Sequence, residues 1–167
     1  MTRKYDVFNQ GHTVEVALPV AVNAHTSGDV IGGLQTITVA LTPSWHGCEL
    51  LGVTLIDSGA KGNASTLYLF RELPSTIADD AAWTPLLADV KMMPPGHKGI
   101  VIAAGDWTTI TTSDEGTISV AAKSASVIGL DLRNGIASTF YAYLVDNTGF
   151  TPAATDDWVA LYHFRVD

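Results

Sequence analysis

Cysteine and long apolar runs are almost absent from this sequence. Cys48 is the single cysteine among 167 residues, so the chain cannot form an internal disulfide, and a metal site would need other ligands. Because it lies next to an apolar run, Cys48 is interpreted as a small core residue. No apolar stretch reaches the roughly 18 residues that a membrane-spanning helix needs. The first residues also lack the apolar centre of a secretory signal, so we expect synthesis and folding in a cytoplasm.

Basic residues are scarce as well. Lys and Arg number 9 against 17 Asp and Glu, charged residues make up 16% of the chain, and the net charge is −8. Phosphate backbones and anionic membranes attract clustered cations, so we expect neither nucleic acid nor a membrane as a partner. Hydrophobic residues amount to 47%, enough for one core. We predict a single domain over residues 13–167 behind an N-terminal arm over residues 1–12.

Sequence patterns that carry chemistry are also missing. The chain contains no H-x-H, H-E-x-x-H or G-x-S-x-G motif. Its five histidines are scattered, at His12, His25, His46, His97 and His163. We therefore predict that the protein is not an enzyme and that it holds no metal and no cofactor.

Pairs of adjacent acidic residues leave two interpretations open. Asp79-Asp80, Asp114-Glu115 and Asp156-Asp157 offer oxygen ligands of the kind that calcium prefers. None of them lies in a D-x-D-x-D-G frame, which favours solvated turn residues.

Alternation of apolar and polar residues with a period of two runs through most of the chain, as in Thr36 to Leu41. Glycine-rich and Asn/Asp turns separate these runs. Asn134-Gly135 is typical of a tight type I′ hairpin, and the glycines between Gly28 and Gly33 favour a turn or bulge. About eight to ten short strands without a long amphipathic helix predict an all-β fold, an antiparallel β-sandwich of jelly-roll type.

The stretch from Pro74 to Pro95 breaks the strand pattern. Ser75 to Ala82 is predicted to form a short helical turn, since Ser75 or Thr76 can serve as its N-cap. The prolines that follow favour a loop. This loop is either a sheet-to-sheet crossover, which is favoured, or an exposed contact loop.

One strand is apolar on both of its faces. Leu67 and Leu69 share one face, while Tyr68 and Phe70 share the other. We expect such a strand to be central in its sheet or covered by a neighbouring chain.

Two parts of the chain carry a family resemblance. The first contains D-V-I-G-G-L at 29–34, G-V-T-L-I-D at 52–57, L-Y-L-F at 67–70, P-S-T at 74–76 and D-D-A-A at 79–82. The second contains F-Y-A-Y-L-V at 140–145, Pro152 and D-D-W-V-A-L at 156–161. These strand and turn motifs resemble a family of small virion proteins of tailed bacteriophages. Residues 84–125 do not follow the family pattern.

The resemblance implies a capsid decoration, or cement, protein. Such proteins are β-sandwiches that sit as trimers on the outside of the phage head and clamp neighbouring capsid subunits. It therefore implies the major capsid protein as partner, a homotrimer, and a place on the outer head surface of the virion. We expect contacts from the N-terminal arm and the connection after Pro74, with candidate residues Tyr5, Val7, Phe8, Met92, Met93, Pro94, Pro95 and His97.

Two other functions stay open. The first is a tail or fibre component on the same fold. The second is a carbohydrate-binding β-sandwich that stacks sugars on one or two of its tryptophans, Trp45, Trp83, Trp107 and Trp158. Burial of these tryptophans in a core is the favoured alternative to sugar stacking.

Overall fold

Two antiparallel sheets account for most of the chain in the computed structural model, which describes residues 10–40, 47–94, 96–114, 116–131, 137–152 and 158–166. The strands in these residues are β1 (Gln10–Leu18), β2 (Val30–Ala40), β3 (Gly47–Asp57), β4 (Ser65–Phe70), β5 (Ile100–Ile102), β6 (Trp107–Thr111), β7 (Thr117–Asp131), β8 (Ala137–Asp146) and β9 (Trp158–Val166). A short helix α1 (Leu87–Lys91) and a 3-10 turn (Ala104–Asp106) complete the regular structure of the described chain. The all-β sandwich prediction is confirmed.

The strand order is that of a jelly roll. The five-stranded sheet runs β1-β9-β3-β7-β6 and the four-stranded sheet runs β2-β8-β4-β5. Consecutive strands thus alternate between the two sheets, apart from β4 with β5 and the added edge strand β6 beside β7. Eight strands in two such sheets define the jelly-roll form of the β-sandwich.

Alternation along the strands decides which residues form the core. In β2, Ile37 and Val39 point inward and are fully buried, whereas Thr36 and Thr38 are exposed. Burial of one such aliphatic side chain contributes about 1.5–3 kcal/mol. The largest fully buried residues between the sheets include Trp158, Tyr162, Leu50, Leu55, Leu67 and Ile102.

A glycine pair interrupts the register of β2, as the sequence predicts. The pairing with β8 shifts between Ile31 and Gln35, where Gly32 and Gly33 have φ of 72° and 69°. A Cβ on Gly32 would lie 2.7 Å from the Cβ of Leu18. Only glycine fits here, because the backbone is left-handed and β1 approaches closely.

The outer face of the four-stranded sheet is covered by the chain itself. Residues 71–94 and 96–99, called the covering segment, connect β4 to its neighbour β5 and pack over that face. A second apolar cluster lies between them, with Phe70 and Tyr143 from the sheet and Trp83, Met92 and Met93 from the segment. The predicted sheet-to-sheet crossover is therefore wrong, since the segment leaves and rejoins one sheet. Strand β4 is central, as predicted, and its second apolar face is covered from within the chain.

The short helix lies elsewhere than predicted. Residues 75–82 are irregular, with a turn at Asp79 and Asp80, and α1 begins at Leu87 instead. Asp89 lies in the first turn of α1 and accepts a hydrogen bond from the Leu86 N–H at 2.9 Å, as is typical of a helix start. Ser75 donates to that same Asp89 rather than capping a helix of its own.

Two further predictions concern segments that lie wholly or partly outside the described residues. The turn at Asn134-Gly135 lies outside them, and the strands on either side of it belong to different sheets: Asp131 pairs with Gly47, and Ala137 with Ala40. Residues 1–9 of the predicted arm also lie outside them. Gln10 to His12 are paired with β9 as the start of β1.

Within the described residues, no helix has both the length and the apolar character needed to cross a membrane.

Candidate interaction surface

The covering segment is fastened to the sheet at its start by Tyr143. The Tyr143 hydroxyl projects outward from the centre of the four-stranded sheet, accepts a hydrogen bond from the Ile77 N–H at 2.9 Å and donates one to the Ser75 carbonyl at 2.7 Å. Burial raises the pKa of this hydroxyl. The phenol therefore stays neutral and can both donate and accept.

A second fastening joins the segment to its own helix. The buried carboxylate of Asp89 accepts hydrogen bonds from the Ser75 N–H at 2.9 Å, the Ser75 hydroxyl at 3.2 Å and the Leu86 N–H at 2.9 Å. The backbone hydrogen bond from Ser75 is the main cause that lowers the pKa of Asp89, and burial opposes it. Arg71 donates its N–H to the Met92 carbonyl at 2.9 Å. The start of the segment thus lies alongside α1.

A third fastening ties the segment to β2 and to the connection that precedes it. The carboxylate of Asp79 accepts hydrogen bonds from the Ala21 and Gly32 N–H groups, each at 2.6 Å. The ring of the buried His25 lies 3.8 Å from the same carboxylate and stacks on Phe150. Asp79 therefore links the covering segment to the β1–β2 connection.

An aromatic cluster fills the space beneath the segment. Trp83 stacks on Tyr68 with ring centres 5.0 Å apart and lies 5.1 Å from the ring of Tyr143. Phe70 meets both Trp83 and Tyr143 edge-on. Packing of this kind makes the segment part of the folded domain rather than a loose loop.

The outer side of the covering segment is apolar and exposed. Leu73, Leu86, Leu87 and Val90, called the α1 patch, are exposed by 59%, 59%, 73% and 46%. Leu86 and Leu87 stand four and three residues before Val90, a spacing that places all three on one side of the short helix. Leu73 lies between Arg71 and Ser75, which bond Met92 and Asp89, so its stretch of chain runs beside α1. The exposed cations Arg71 and Lys91 border the patch.

Four of the eight predicted contact residues fall within the described residues. Tyr5, Val7, Phe8 and Pro95 lie outside the described residues. Met92 and Met93 are half-buried in the second apolar cluster, and Pro94 is buried. His97 accepts a hydrogen bond from the Leu69 N–H at 3.2 Å, and burial lowers its pKa.

The exposed residues of the α1 patch were missed by sequence reasoning. The signal that could have found them is the apolar run Trp83-Thr84-Pro85-Leu86-Leu87, which follows no strand or helix period. Apolar residues that follow neither period cannot all lie on the buried face of one strand or helix.

Several histidines and acidic residues in the described chain have structural partners. His163 lies between the hydroxyls of Thr13 and Thr54, at 3.1 and 2.9 Å. Asp57 accepts hydrogen bonds from the N–H groups of Gly59, Lys61 and Gly62. No group of three or more His, Cys, Asp or Glu side chains in the described residues is arranged to hold a metal ion. His46, Glu115 and Asp156-Asp157 lie outside those residues.

The described tryptophans are packed against other rings. Trp158 is fully buried and meets Trp107 edge-on at 5.3 Å. The indole of Trp107 donates to the Asn63 carbonyl at 2.9 Å, and Trp83 belongs to the cluster described above. Trp45 lies outside the described residues.

Comparisons with known proteins identify no family for this chain. No protein-family model matches the chain, and no curated protein matches it. Among solved structures, it is similar to a chain in the structure of infectious bursal disease virus, Gx strain, with 17% sequence identity and a TM-score of 0.21. That alignment covers 95% of this chain and 37% of the viral chain. The fold itself places the protein among the jelly-roll β-sandwiches.

Proposed function

We propose that this protein is a non-enzymatic virion component that binds the outside of a tailed-phage head as a homotrimer and stabilises the capsid lattice. The jelly-roll fold supports the proposal, because this architecture recurs in viral capsid proteins. The resemblance of the strand and turn motifs to phage virion proteins supports it as well. One fold can host many functions, so the evidence for this function has to come from the surface of the protein.

The observation that carries the proposal is the α1 patch. Four large apolar side chains are exposed on α1 and on the stretch of chain that runs beside it. Contiguous exposed apolar side chains mark protein–protein contact sites. The major capsid protein is the partner that the proposal assigns to this patch.

The segment that carries the patch is held by buried hydrogen bonds, which favours binding. Tyr143, Asp89 and Asp79 hold the covering segment at three separate points. A surface that is ordered before binding loses little conformational entropy when a partner arrives. Three such patches on one trimer would bind a symmetric lattice with avidity, although each contact is small.

The experiment mixes purified protein with undecorated heads of its phage and images the heads. We expect regular added density at symmetry points of the lattice. Leu87→Asp, which places a charge in the patch, should weaken binding at least tenfold. Val22→Asp is the matched control, because Val22 is 52% exposed and lies outside the patch. It should bind like the unmodified protein.

Two results would overturn the proposal. One is unmodified protein that ignores heads at all concentrations. The other is copurification with tails instead of heads, which would move the function to a tail component.

A further inference from the structure

A group of buried polar atoms lies between the two sheets at one end of the sandwich. Ser65 begins β4, and Asp146 ends β8. The two residues are register partners in the four-stranded sheet, and both are fully buried. Partners of this kind have Cβ atoms about 4.5–5.5 Å apart. The Ser65 hydroxyl and the Asp146 carboxylate are therefore close neighbours.

Both side chains point toward the other sheet. Leu67 lies two residues after Ser65 and belongs to the apolar core between the sheets. Leu144 lies two residues before Asp146 and belongs to the same core. Side chains two positions apart along a strand share one face of the sheet. The hydroxyl and the carboxylate are therefore directed into the interior, away from the covering segment.

The carboxylate of Asp146 is only half used by the chain. Its Oδ1 accepts hydrogen bonds from the Thr148 N–H at 2.9 Å and from the Thr148 hydroxyl at 3.4 Å. Its Oδ2 and the Oγ of Ser65 are buried, and neither has a hydrogen-bond partner among the described residues. A buried carboxylate oxygen without a partner has lost its hydration and gained nothing in return, which is costly.

A third unpaired polar atom comes from the five-stranded sheet. The indole of Trp158 is fully buried, and its Nε1 has no partner in the described part of the chain. Its ring lies 5.3 Å from that of Trp107, whose indole bonds the carbonyl of Asn63, two residues before Ser65. The ring also lies 5.5 Å from Phe150, four residues beyond the end of β8. Trp158 therefore lies at the same end of the sandwich.

The chemistry of these three atoms determines which ligand fits between them. A carboxylate oxygen only accepts hydrogen bonds, an indole N–H only donates them, and a hydroxyl does both. The indole N–H would repel a metal ion, and the carboxylate would repel an anion. A water molecule can donate to the carboxylate and accept from the indole at the same time. Buried waters make about three hydrogen bonds each, mostly to polar groups that have no other partner.

We infer that one buried water molecule joins the two sheets at this point. It donates to Asp146 Oδ2, accepts from Trp158 Nε1 and shares a hydrogen bond with the Ser65 hydroxyl. A bridging water of this kind is enthalpically almost as favourable as a direct hydrogen bond. The inference is independent of the proposed function, because the site is internal and needs neither a capsid nor a second copy of the chain.

The direct test locates bound water in the unmodified protein. A crystal structure should show an electron-density peak within about 2.7–3.2 Å of Asp146 Oδ2, Ser65 Oγ and Trp158 Nε1. In solution, relaxation dispersion of the water oxygen nucleus should show a water that stays bound for longer than the protein takes to tumble. A crystal structure without density between these three atoms would overturn the inference.

Two variants of similar shape separate the effect of the water from the effect of packing. Ser65→Val and Ser65→Thr enlarge the side chain by nearly the same volume, but only threonine keeps a hydroxyl. We expect Ser65→Val to show less long-lived water and a lower melting temperature than Ser65→Thr, because a methyl group offers the water no hydrogen bond. Equal water signals and equal melting temperatures in the two variants would contradict the inference.

A further measurement distinguishes water from a metal ion. Calcium chloride or sodium chloride is added to the unmodified protein, and choline chloride at equal ionic strength is the control. We expect the same melting temperature in all three salts. A stabilisation that depends on calcium or sodium, and that Ser65→Val abolishes, would show that the site holds a cation and would refute the water.

Discussion

The hydroxyl of Tyr143 donates a hydrogen bond to the backbone carbonyl of Ser75 at 2.7 Å. Tyr143 lies on the outer side of the four-stranded sheet, and Ser75 lies near the start of the covering segment. The same hydroxyl accepts from the Ile77 N–H. One phenol therefore fixes the segment that carries the exposed α1 patch.

Replacing this phenol should loosen the segment. We expect Tyr143→Phe to lower the free energy of unfolding by about 1–3 kcal/mol, because the Ile77 N–H and the Ser75 carbonyl lose their partner. Urea denaturation measures the loss, and hydrogen exchange should show faster exchange within residues 74–94. Tyr141→Phe, on the same strand and half-exposed, is the control and should change neither. Equal stability of both variants would contradict this role for Tyr143.

Asp89 should make stability depend on pH at the acid end. Its pKa in the folded protein lies below the ordinary value of 3.8, so its stabilisation is complete above that value and is lost as pH falls through the lower one. We expect Asp89→Asn to cost about 1–2 kcal/mol at neutral pH. The difference from the unmodified protein should shrink in urea titrations performed below pH 3.8.

The control for Asp89 is Asp80→Asn, because the backbone of Asp80, rather than its carboxylate, bonds Val30. A difference between Asp89→Asn and the unmodified protein that stays constant over the whole pH range would contradict the assignment.

His97 should make the stability of the protein depend on pH in a range nearer to neutrality. Burial lowers its pKa below the ordinary value of 6.5, so the unfolded chain takes up a proton first as the solution is acidified. The stabilisation is complete above 6.5 and declines as pH falls below it. We expect His97→Gln to flatten the decline in unfolding free energy between neutral pH and pH 5. Lys98→Gln, an exposed neighbour, should keep the original slope.

Gly32 should tolerate no side chain. Its φ of 72° and the 2.7 Å approach of the Leu18 Cβ predict a loss of about 3 kcal/mol for Gly32→Ala, from backbone strain and overpacking together. Gly105→Ala is the control, because a Cβ there meets nothing within 4 Å, and it should stay within about 0.5 kcal/mol. Thermal denaturation separates the two. A mild Gly32→Ala variant would show that β1 and β2 can move apart at this bulge.

Much of the fold was predictable because strand formation is local. Alternation in segments such as Thr36 to Val39 requires only that neighbouring residues face opposite sides. The bulge at Gly32-Gly33 was predictable for the same reason, since glycine relieves local strain.

The candidate site was harder to predict. Ser75 meets the sequence requirements for a helix cap, yet its partner is Asp89, fourteen residues later. Met92 and Met93 were expected to contact a partner because prolines follow them. In the folded chain they pack against the four-stranded sheet, and Leu86 and Leu87 of the same segment are exposed instead.

The sequence by itself determined that the protein is a β-sandwich, since period-two alternation and turn residues act within a few positions. Tertiary structure alone decided which sheet face the chain covers and which it leaves open. Apolar residues point outward from both sheets, so composition does not distinguish them. The choice depends on Tyr143, Asp89 and Asp79, whose hydrogen bonds join residues 14 to 68 positions apart, and pairings at such distances are fixed only when the whole chain folds.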